Sequence, residues 1–389
     1  MNIESFTADH FEQLAQTSEQ RWVSLVMPAH VSGRDARQDP IRFKNLTQQA
    51  EARLISAGVA ASDAHAQLEV LNELAEGRAT WPRQGPGLAA FSTPNETRMF
   101  HVPITLPERV VLGKVPYLIP LVPVVSDDLR FFLLALSARE VRLVEGSRHR
   151  ADELEMPGWP EDFEQFAAHI EAESQLQFQT KAQPIGDANL RAAVFHGHPG
   201  GQEAEERKLR LLEFFRHIDR RVREVIGGAG APMILACDER VAPIYREASE
   251  YPDVAEEVVI GNPDGQKPDE LCAKARELLE PRLEERRTRL LARYQQASVA
   301  GMAADRLEPI LQAAHEGRVD TLLLKTEHER WGRYDPSRRR MELHDPPAED
   351  DEELLNLAAI VSHHQGADFL VVRSDDLPEG EPAAAILRY

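Results

Sequence analysis

Residues 204–226 constrain the fold of this chain more than any other stretch. They read Ala204-Glu-Glu-Arg-Lys-Leu-Arg-Leu-Leu-Glu-Phe-Phe-Arg-His-Ile-Asp-Arg-Arg-Val-Arg-Glu-Val-Ile226. Leu209, Leu212, Phe215, Ile218, Val222 and Val225 recur at spacings of three and four, which predicts one apolar stripe on a charged helix. A stripe of that kind has to be covered by another layer. Gly227-Gly228 supplies the stop that glycine commonly provides just past a helix. Ala231-Pro-Met-Ile-Leu-Ala-Cys-Asp238 follows, a short apolar run expected to be a buried strand.

Immediately upstream lies Val194-Phe-His-Gly-His-Pro-Gly-Gly-Gln-Glu203. Gly200 and Gly201 let a backbone take positive φ and approach another molecule closely. Gln202 adds a donor and an acceptor without charge. Together they suit a loop that places a water or a backbone amide at a carbonyl carbon, although three residues alone also describe an ordinary loop before a helix. His196, His198, Arg207, Lys208 and Arg210 flank the tripeptide and are candidate RNA or ribosome contacts. The bland alternative for the basic series, which continues through Arg216, Arg220, Arg221 and Arg223, is a solvated face balanced by Glu205, Glu206, Glu213 and Glu224.

The order of loop, Gly-Gly-Gln, long helix and buried strand resembles the middle domain of eukaryotic and archaeal class-1 peptide-release factors and of their relative Pelota. Ala313-Ala-His-Glu-Gly-Arg-Val-Asp-Thr-Leu-Leu-Leu324 resembles the opening of their third domain. Ile244-Tyr-Arg-Glu-Ala-Ser-Glu-Tyr251 and Gly261-Asn-Pro-Asp264 look like signatures of a bacterial offshoot, the bacterial archaeo-eukaryotic-release-factor-like proteins. Trp22-Val-Ser-Leu-Val-Met-Pro-Ala-His30 and Gln38-Asp-Pro-Ile-Arg-Phe-Lys-Asn-Leu46 look like the N-terminal signature of the same group. The resemblance is colinear from about Arg21 onward.

It implies a mixed α/β and α+β multidomain chain: an N-terminal α+β module, an RNase-H-like α/β middle domain carrying the Gly-Gly-Gln loop, and a C-terminal L7Ae-like α/β/α sandwich. The expected boundaries are 1–125, 126–265 and 266–389. In the first region, Asp39-Pro40 should cap a helix running through Leu54, and a second helix should start at Ser62. Strands are expected near 88–91, 98–101 and 109–112. The run Pro116-Tyr-Leu-Ile-Pro-Leu-Val-Pro-Val-Val125 reads as an extended connector. The second region predicts strands over 130–136, 140–144 and 256–260, helices over 161–172 and 241–250, and a loop over 174–193. The third predicts a charged helix over 269–296 kinked or interrupted at Pro281. Helices near 305–316 and 352–364 then alternate with strands near 319–325, 368–373 and 383–388, and Asp345 to Glu353 reads as a solvated acidic loop.

Composition narrows the function classes. A chain of 389 residues, 42% hydrophobic, can hold two or three cored domains at about 100–200 residues each. No apolar run approaches the ~20 residues of a membrane helix. The N terminus lacks the pattern of a secretion signal, so a cytoplasmic protein without a membrane partner is expected. Cys237 and Cys272 are expected as buried thiols. A net charge of −20 argues against generic nucleic-acid binding and against DNA, while a local patch can still meet a ribosome.

Other chemistries have less support. His196, His198, His363 and His364 offer imidazoles but no third ligand at diagnostic spacing, so metal binding is a minor reading and no cofactor is expected. Gly227-Gly-Ala-Gly230 lacks the Lys-Ser/Thr of a phosphate loop. No carboxylate cluster supports nuclease chemistry. Asp238-Glu-Arg240 sits where α/β sheets place ligands, with a helix-capping turn as its plainer reading. Tyr245, Arg246 and Tyr251 could stack RNA, or pack with half-buried rings.

By resemblance, the chain would hydrolyse the peptidyl-tRNA ester on stalled or non-programmed ribosomes. Gly200, Gly201 and Gln202 would be the catalytic loop, rRNA and peptidyl-tRNA the partners, and a translational GTPase a further partner. No Asn-Ile-Lys-Ser stop-codon motif occurs, which favours a codon-independent action. Glu203-Ala-Glu-Glu206 after the tripeptide departs from the basic or small residues usual there and keeps open a ribosome binder that cleaves nothing, or a partner outside the ribosome.

Overall fold

The computed structural model describes residues 3–17, 21–30, 35–76, 85–126, 129–137, 139–148, 150–156, 199–228, 230–348, 351–378 and 380–389. The expected helix over 161–172 and loop over 174–193 lie outside them. Contacts divide the chain into two compact units, one of residues 1–128 with 286–389 and one of residues 129–285.

The first unit begins with β1 (Glu4–Ser5), α1 (Ala8–Ala15), β2 (Trp22–Pro28), α2 (Asp39–Ser56), α3 (Ala61–Gln67), α4 (Glu69–Ala75), β3 (Gly87–Ser92), β4 (Thr97–Val102) and β5 (Arg109–Gly113). The sheet order is β1-β4-β3-β2-β5, antiparallel except for β1 on β4. Alternation along β2 explains its central place: Val23, Leu25 and Met27 pack against α2–α4, and Trp22 and Val26 join the core on the other face. Asp39 does not cap α2. Its buried carboxylate instead accepts the backbone N–H of His30 at 2.8 Å and lies 2.9 Å from the His30 Nδ1. The helix expected from Ser62 breaks into α3 and α4 at Leu68.

The run after β5 is not extended. A 3₁₀ turn at Ile119–Leu121 leads into α5 (Val122–Ser126), and Leu118, Ile119, Leu121 and Val122 are fully buried. Burial of this proline-rich backbone is possible because Asn356 serves it. The Asn356 Oδ1 accepts from Leu118 N at 2.7 Å and Ile119 N at 3.0 Å, and its Nδ2 donates to Pro116 O at 2.9 Å.

The second unit contains β6 (Phe131–Leu136), β7 (Val141–Gly146), β8 (Ala151–Glu153), α6 (Pro199–Ile226), β9 (Met233–Cys237), α7 (Val241–Ala248), β10 (Val254–Ile260) and the first half of α8 (Pro268–Val299). Its sheet order is β10-β9-β6-β7-β8, parallel across β10, β9 and β6 and antiparallel beyond. α6 and α7 cover one face through Phe214, Phe215, Ile218, Val222 and Tyr245. Leu271, Cys272, Ala275 and Leu279 of α8 cover the other. Pro281 sits with its ring exposed inside a helix that continues to Val299, so it does not interrupt α8.

The remainder of the first unit carries β11 (Ala303–Ala304), α9 (Leu307–His315), β12 (Val319–Leu324), β13 (Trp331–Asp335), β14 (Arg340–Leu343), β15 (Glu352–Glu353), α10 (Leu354–His364), β16 (Asp368–Val371) and β17 (Ala383–Leu387). A sheet of order β11-β17-β12-β16 lies between α9 and α10 on one side and the end of α8, through Leu290 and Tyr294, on the other. The three layers are those expected from alternating helices and strands. Between β12 and α10 the chain adds a small antiparallel sheet, β14-β13-β15.

That added sheet corrects the acidic-loop expectation. Asp351 and Glu353 are buried, because each carboxylate organises backbone. Glu353 caps α10, accepting from Arg330 N at 2.8 Å, Leu355 N at 3.3 Å and Asn356 N at 2.6 Å. Burial nevertheless pushes its carboxyl up to about 7. Asp351 accepts from Ala348 N at 2.6 Å and lies 2.9 Å from the His344 Nδ1. Burial raises the Asp351 carboxyl, but these contacts and Arg333 outweigh it and hold it below the usual range.

Candidate functional site

α6 is the element that carries the sequence-predicted site. Its apolar face is Leu212, Phe215, Ile218, Val222 and Ile226, with Phe214 beside them. Leu209 and Val225, expected on that stripe, are exposed at 58% and 51%. The buried stripe is therefore shifted, and it reaches the helix end through Ile226. Gly227 then approaches the Arg223 carbonyl so closely that a Cβ would stand 2.4 Å from its oxygen. That approach makes glycine necessary at the stop.

The helix begins earlier than expected. Gly200, Gly201 and Gln202 lie in the first turn of α6, behind Pro199, and not in a loop preceding it. Proline suits the opening of a helix because its missing N–H would have no partner there. The first-turn N–H groups of an α-helix have no intrahelical acceptor, and the dipole adds positive character at that end. His196 and His198 lie outside the described residues. Side chains of α6 are described from Lys208 onward, which leaves the Arg207 side chain outside as well. The Lys208 Nζ lies 3.0 Å from the Glu247 Oε2, and Arg210 is exposed. Lys208, Leu209 and Arg210 are all exposed, so among the described side chains core contact starts at Leu211. Nine residues of helix separate Leu211 from Gln202, roughly 13 Å along the axis.

A buried carboxylate clamps the other half of the helix. Asp219, 1% exposed, accepts from Ser249 Oγ at 2.5 Å, Glu250 N at 3.0 Å and Arg223 Nε at 2.9 Å, with the Tyr245 hydroxyl at 3.5 Å. Burial first, and then the Asp219 charge, pushes the Tyr245 phenol well above its ordinary value. Tyr251 donates to Ala231 O at 2.6 Å, and Arg246 donates to Ala255 O at 2.9 Å and Glu256 O at 2.6 Å. Residues 244–251 are thus a fastening for α6 and β10. Both tyrosine rings are buried and their hydroxyls are used inside the protein, which removes them as an RNA-stacking surface.

Asp238-Glu-Arg240 does lie at the carboxyl end of β9, in a turn that leads into α7 without giving that helix a side-chain cap. The Asp238 Oδ1 accepts from Arg240 N and Nε, each at 3.1 Å, and the Arg240 side chain, followed by its N–H, holds the carboxyl below its usual range. Only the fold shows that this turn and Gly261-Asn-Pro-Asp264 line one cleft of about 830 Å³ beside Leu211 and Phe215. His363 stacks on Phe369 at 5.6 Å and meets Phe11 edge-on at 5.2 Å, while His364 contacts the Ala15 carbonyl. Those two imidazoles are therefore engaged in packing. Both cysteines are free and buried, which pushes the Cys237 thiol up to about 12 and the Cys272 thiol up to about 11. No helix among the described residues is long and apolar enough to cross a membrane.

Residues 130–318 match the family described as bacterial archaeo-eukaryotic release factor family 3. No curated protein matches the chain. Among solved structures, the archaeal translation termination factor aRF1 is similar at 15% identity over 99% of both chains, with a TM-score of 0.23. Ribosome-bound archaeal Pelota, in a structure with ABCE1, is similar at 12% identity over 100% of this chain and 95% of the other, with a TM-score of 0.37. The Pelota protein of Thermoplasma acidophilum is similar at 11% identity over 100% and 95%, with a TM-score of 0.25.

Proposed function

We propose that this chain, whose residues 130–318 match bacterial archaeo-eukaryotic release factor family 3, promotes peptidyl-tRNA hydrolysis on stalled or non-programmed ribosomes without reading a codon. The observation that supports this reading is the position of Gly200, Gly201 and Gln202 in the first turn of a helix clamped at Asp219. A helix start offers unpaired N–H groups, the chemistry that stabilises the oxyanion formed when water attacks an ester. Two glycines keep side chains from blocking approach to RNA. Gln202 would hold the attacking water or shape its pocket, and the ribosome would supply the rest of the site. No general base is then needed in the chain. In this reading the regions 1–125, 126–265 and 266–389 act as N-terminal, RNase-H-like and L7Ae-like modules. The ribosome with its peptidyl-tRNA is the substrate-bearing partner, and a translational GTPase is a companion.

One observation favours a second reading, binding without cleavage. Glu247 lies 3.0 Å from Lys208, and Glu203, Glu205 and Glu206 put carboxylates just behind the tripeptide, where rRNA phosphates would repel them. Peptide release from purified bacterial ribosomes carrying peptidyl-tRNA and an empty A site separates the two. Hydrolysis predicts release by the wild type and a loss on the order of 10²-fold in Gln202→Ala, the scale of misplacing a reacting group, because the variant loses the side chain that holds the water and keeps the backbone N–H groups. Ribosome co-sedimentation without release, equal in both proteins, would establish the binding module instead.

A further inference from the structure

The hairpin of β13 and β14 ends in a turn at 336–339, and Arg338, Arg339 and Arg340 stand at that tip. Their side chains are 82%, 62% and 72% exposed. Along the hairpin Arg333, Arg338, Arg339 and Arg340 stand with Asp335 and Glu342, while Asp351 and Glu316 face Arg333 and Arg339 from outside it. We propose that this tip is a phosphate-backbone contact for RNA, separate from the Gly-Gly-Gln helix.

Three features carry the inference. The tip is preorganised: the Asp335 Oδ1 accepts from Ser337 N at 2.9 Å, Ser337 Oγ at 2.6 Å and Arg338 N at 3.1 Å. Its base is anchored on α9, where Met341 N donates to the Glu308 Oε1 at 2.9 Å and the Tyr334 ring lies 5.1 Å from that of His315.

Arg339 has a φ of 53°, and it is the non-glycine residue with positive φ among the described residues. Glycine or asparagine would occupy that conformation with less strain. The long charged side chain held there reaches the Glu316 carboxylate at 2.9 Å and stays 62% exposed, which presents its guanidinium to solvent beyond the tip.

The arginines also keep donors in reserve. Arg338, Arg339 and Arg340 face Asp335, Glu316 and Glu342 at 3.6, 2.9 and 3.3 Å, in exposed pairs of the screened kind. Each guanidinium has five N–H donors, so these pairs orient the forks and leave N–H groups for bidentate phosphate contacts. Contact with phosphates reads no sequence, which fits a partner met through its backbone.

The inference rests on a ribosomal partner but not on hydrolysis by Gln202. The test measures affinity for purified bacterial ribosomes against salt, for the wild type, Arg338→Gln/Arg339→Gly/Arg340→Gln, and the control Arg240→Gln. Glycine relieves the strained position, so the triple variant should keep its melting temperature; Arg338→Gln/Arg340→Gln serves if it does not. We expect at least a tenfold loss of affinity at moderate salt and a log–log salt slope shallower by about three in the triple variant and about two in the double, since each phosphate contact contributes roughly one. Arg240→Gln should bind as the wild type does. Wild-type affinity in the tip variants would overturn the proposal alone, whatever the release assay shows. A loss of affinity with an unchanged salt slope would mean that the tip meets protein, and would overturn the RNA assignment. No ribosome binding by the wild type would remove the release-factor reading and this proposal with it.

Discussion

At Asp219 a carboxylate inside the core is matched by donors from α6, α7 and the turn that follows. Removing it leaves the Ser249 hydroxyl and the Glu250 N–H without their acceptor, while Arg223 keeps Glu250 at 2.8 Å, so Asp219→Ala should cost about 2–3 kcal/mol in urea unfolding. Tyr245→Phe removes only a 3.5 Å contact and should cost under about 1 kcal/mol. The reverse order would show that the ring hydroxyl, and not the carboxylate, fastens α6. Glu353 gives a pH signature. Its folded carboxyl is raised from 4.5 to about 7, so the folded state binds its proton more tightly than the unfolded chain does. The resulting stability is fully present below about pH 4.5 and is lost as pH rises through 7, a few kcal/mol at most. Glu353→Gln should remove that slope. Subtracting its pH profile from that of the wild type isolates the effect from the other carboxylates, and an unchanged slope would show that the three N–H donors already keep Glu353 ionised.

Elements were legible where periodicity was strong. α2, α6, β6, β9, β12 and β17 lie close to where their apolar patterns put them. The small sheet of β13, β14 and β15 was not legible, because Trp331-Gly-Arg-Tyr-Asp335 does not alternate and the alternation of Arg340-Met-Glu-Leu343 spans only four residues. Their pairing rests on close backbone approach. A Cβ on Gly332 would stand 1.9 Å from the Glu342 carbonyl oxygen. Gly332→Ala should therefore open the hairpin and raise hydrogen exchange across 331–343, while the α6 amides keep their protection. Equal protection in both proteins would show that β14 can shift without cost. The proline-rich run after β5 failed in the opposite sense. Prolines suggested extension, yet Asn356, more than two hundred residues away in sequence, satisfies the backbone and lets the run turn and bury.

Across the whole molecule, the first and last parts of the sequence share one core. Phe11, Tyr117 and Leu118 belong to the same buried cluster as Leu311, Leu355 and Phe369. A fragment of residues 1–128 should therefore lack a cooperative thermal transition, because one face of its sheet loses its cover. Residues 129–285 have both faces of their sheet covered from within, through α6 and α7 on one side and α8 on the other, and should melt cooperatively alone. Calorimetry of the two fragments checks both statements. A sharp transition in 1–128 would show that the N-terminal sheet is a domain in its own right.

By itself the sequence determined the alternation of helices and strands, the buried thiols and the release-factor-like motifs of residues 130–318, because periodicity, glycine stops and short motifs are local properties of a chain. Tertiary structure alone decided that Gly200-Gly-Gln202 opens a helix, that Asp219, Asp351 and Glu353 are interior anchors, and that Asp238 and Gly261–Asp264 face one cleft. A carboxylate reads as solvated until the donors that surround it are known, and those donors come from residues far apart in the chain. The same reason hid the arginine hairpin: three adjacent arginines acquire direction only when β13 and β14 pair and α9 holds their base.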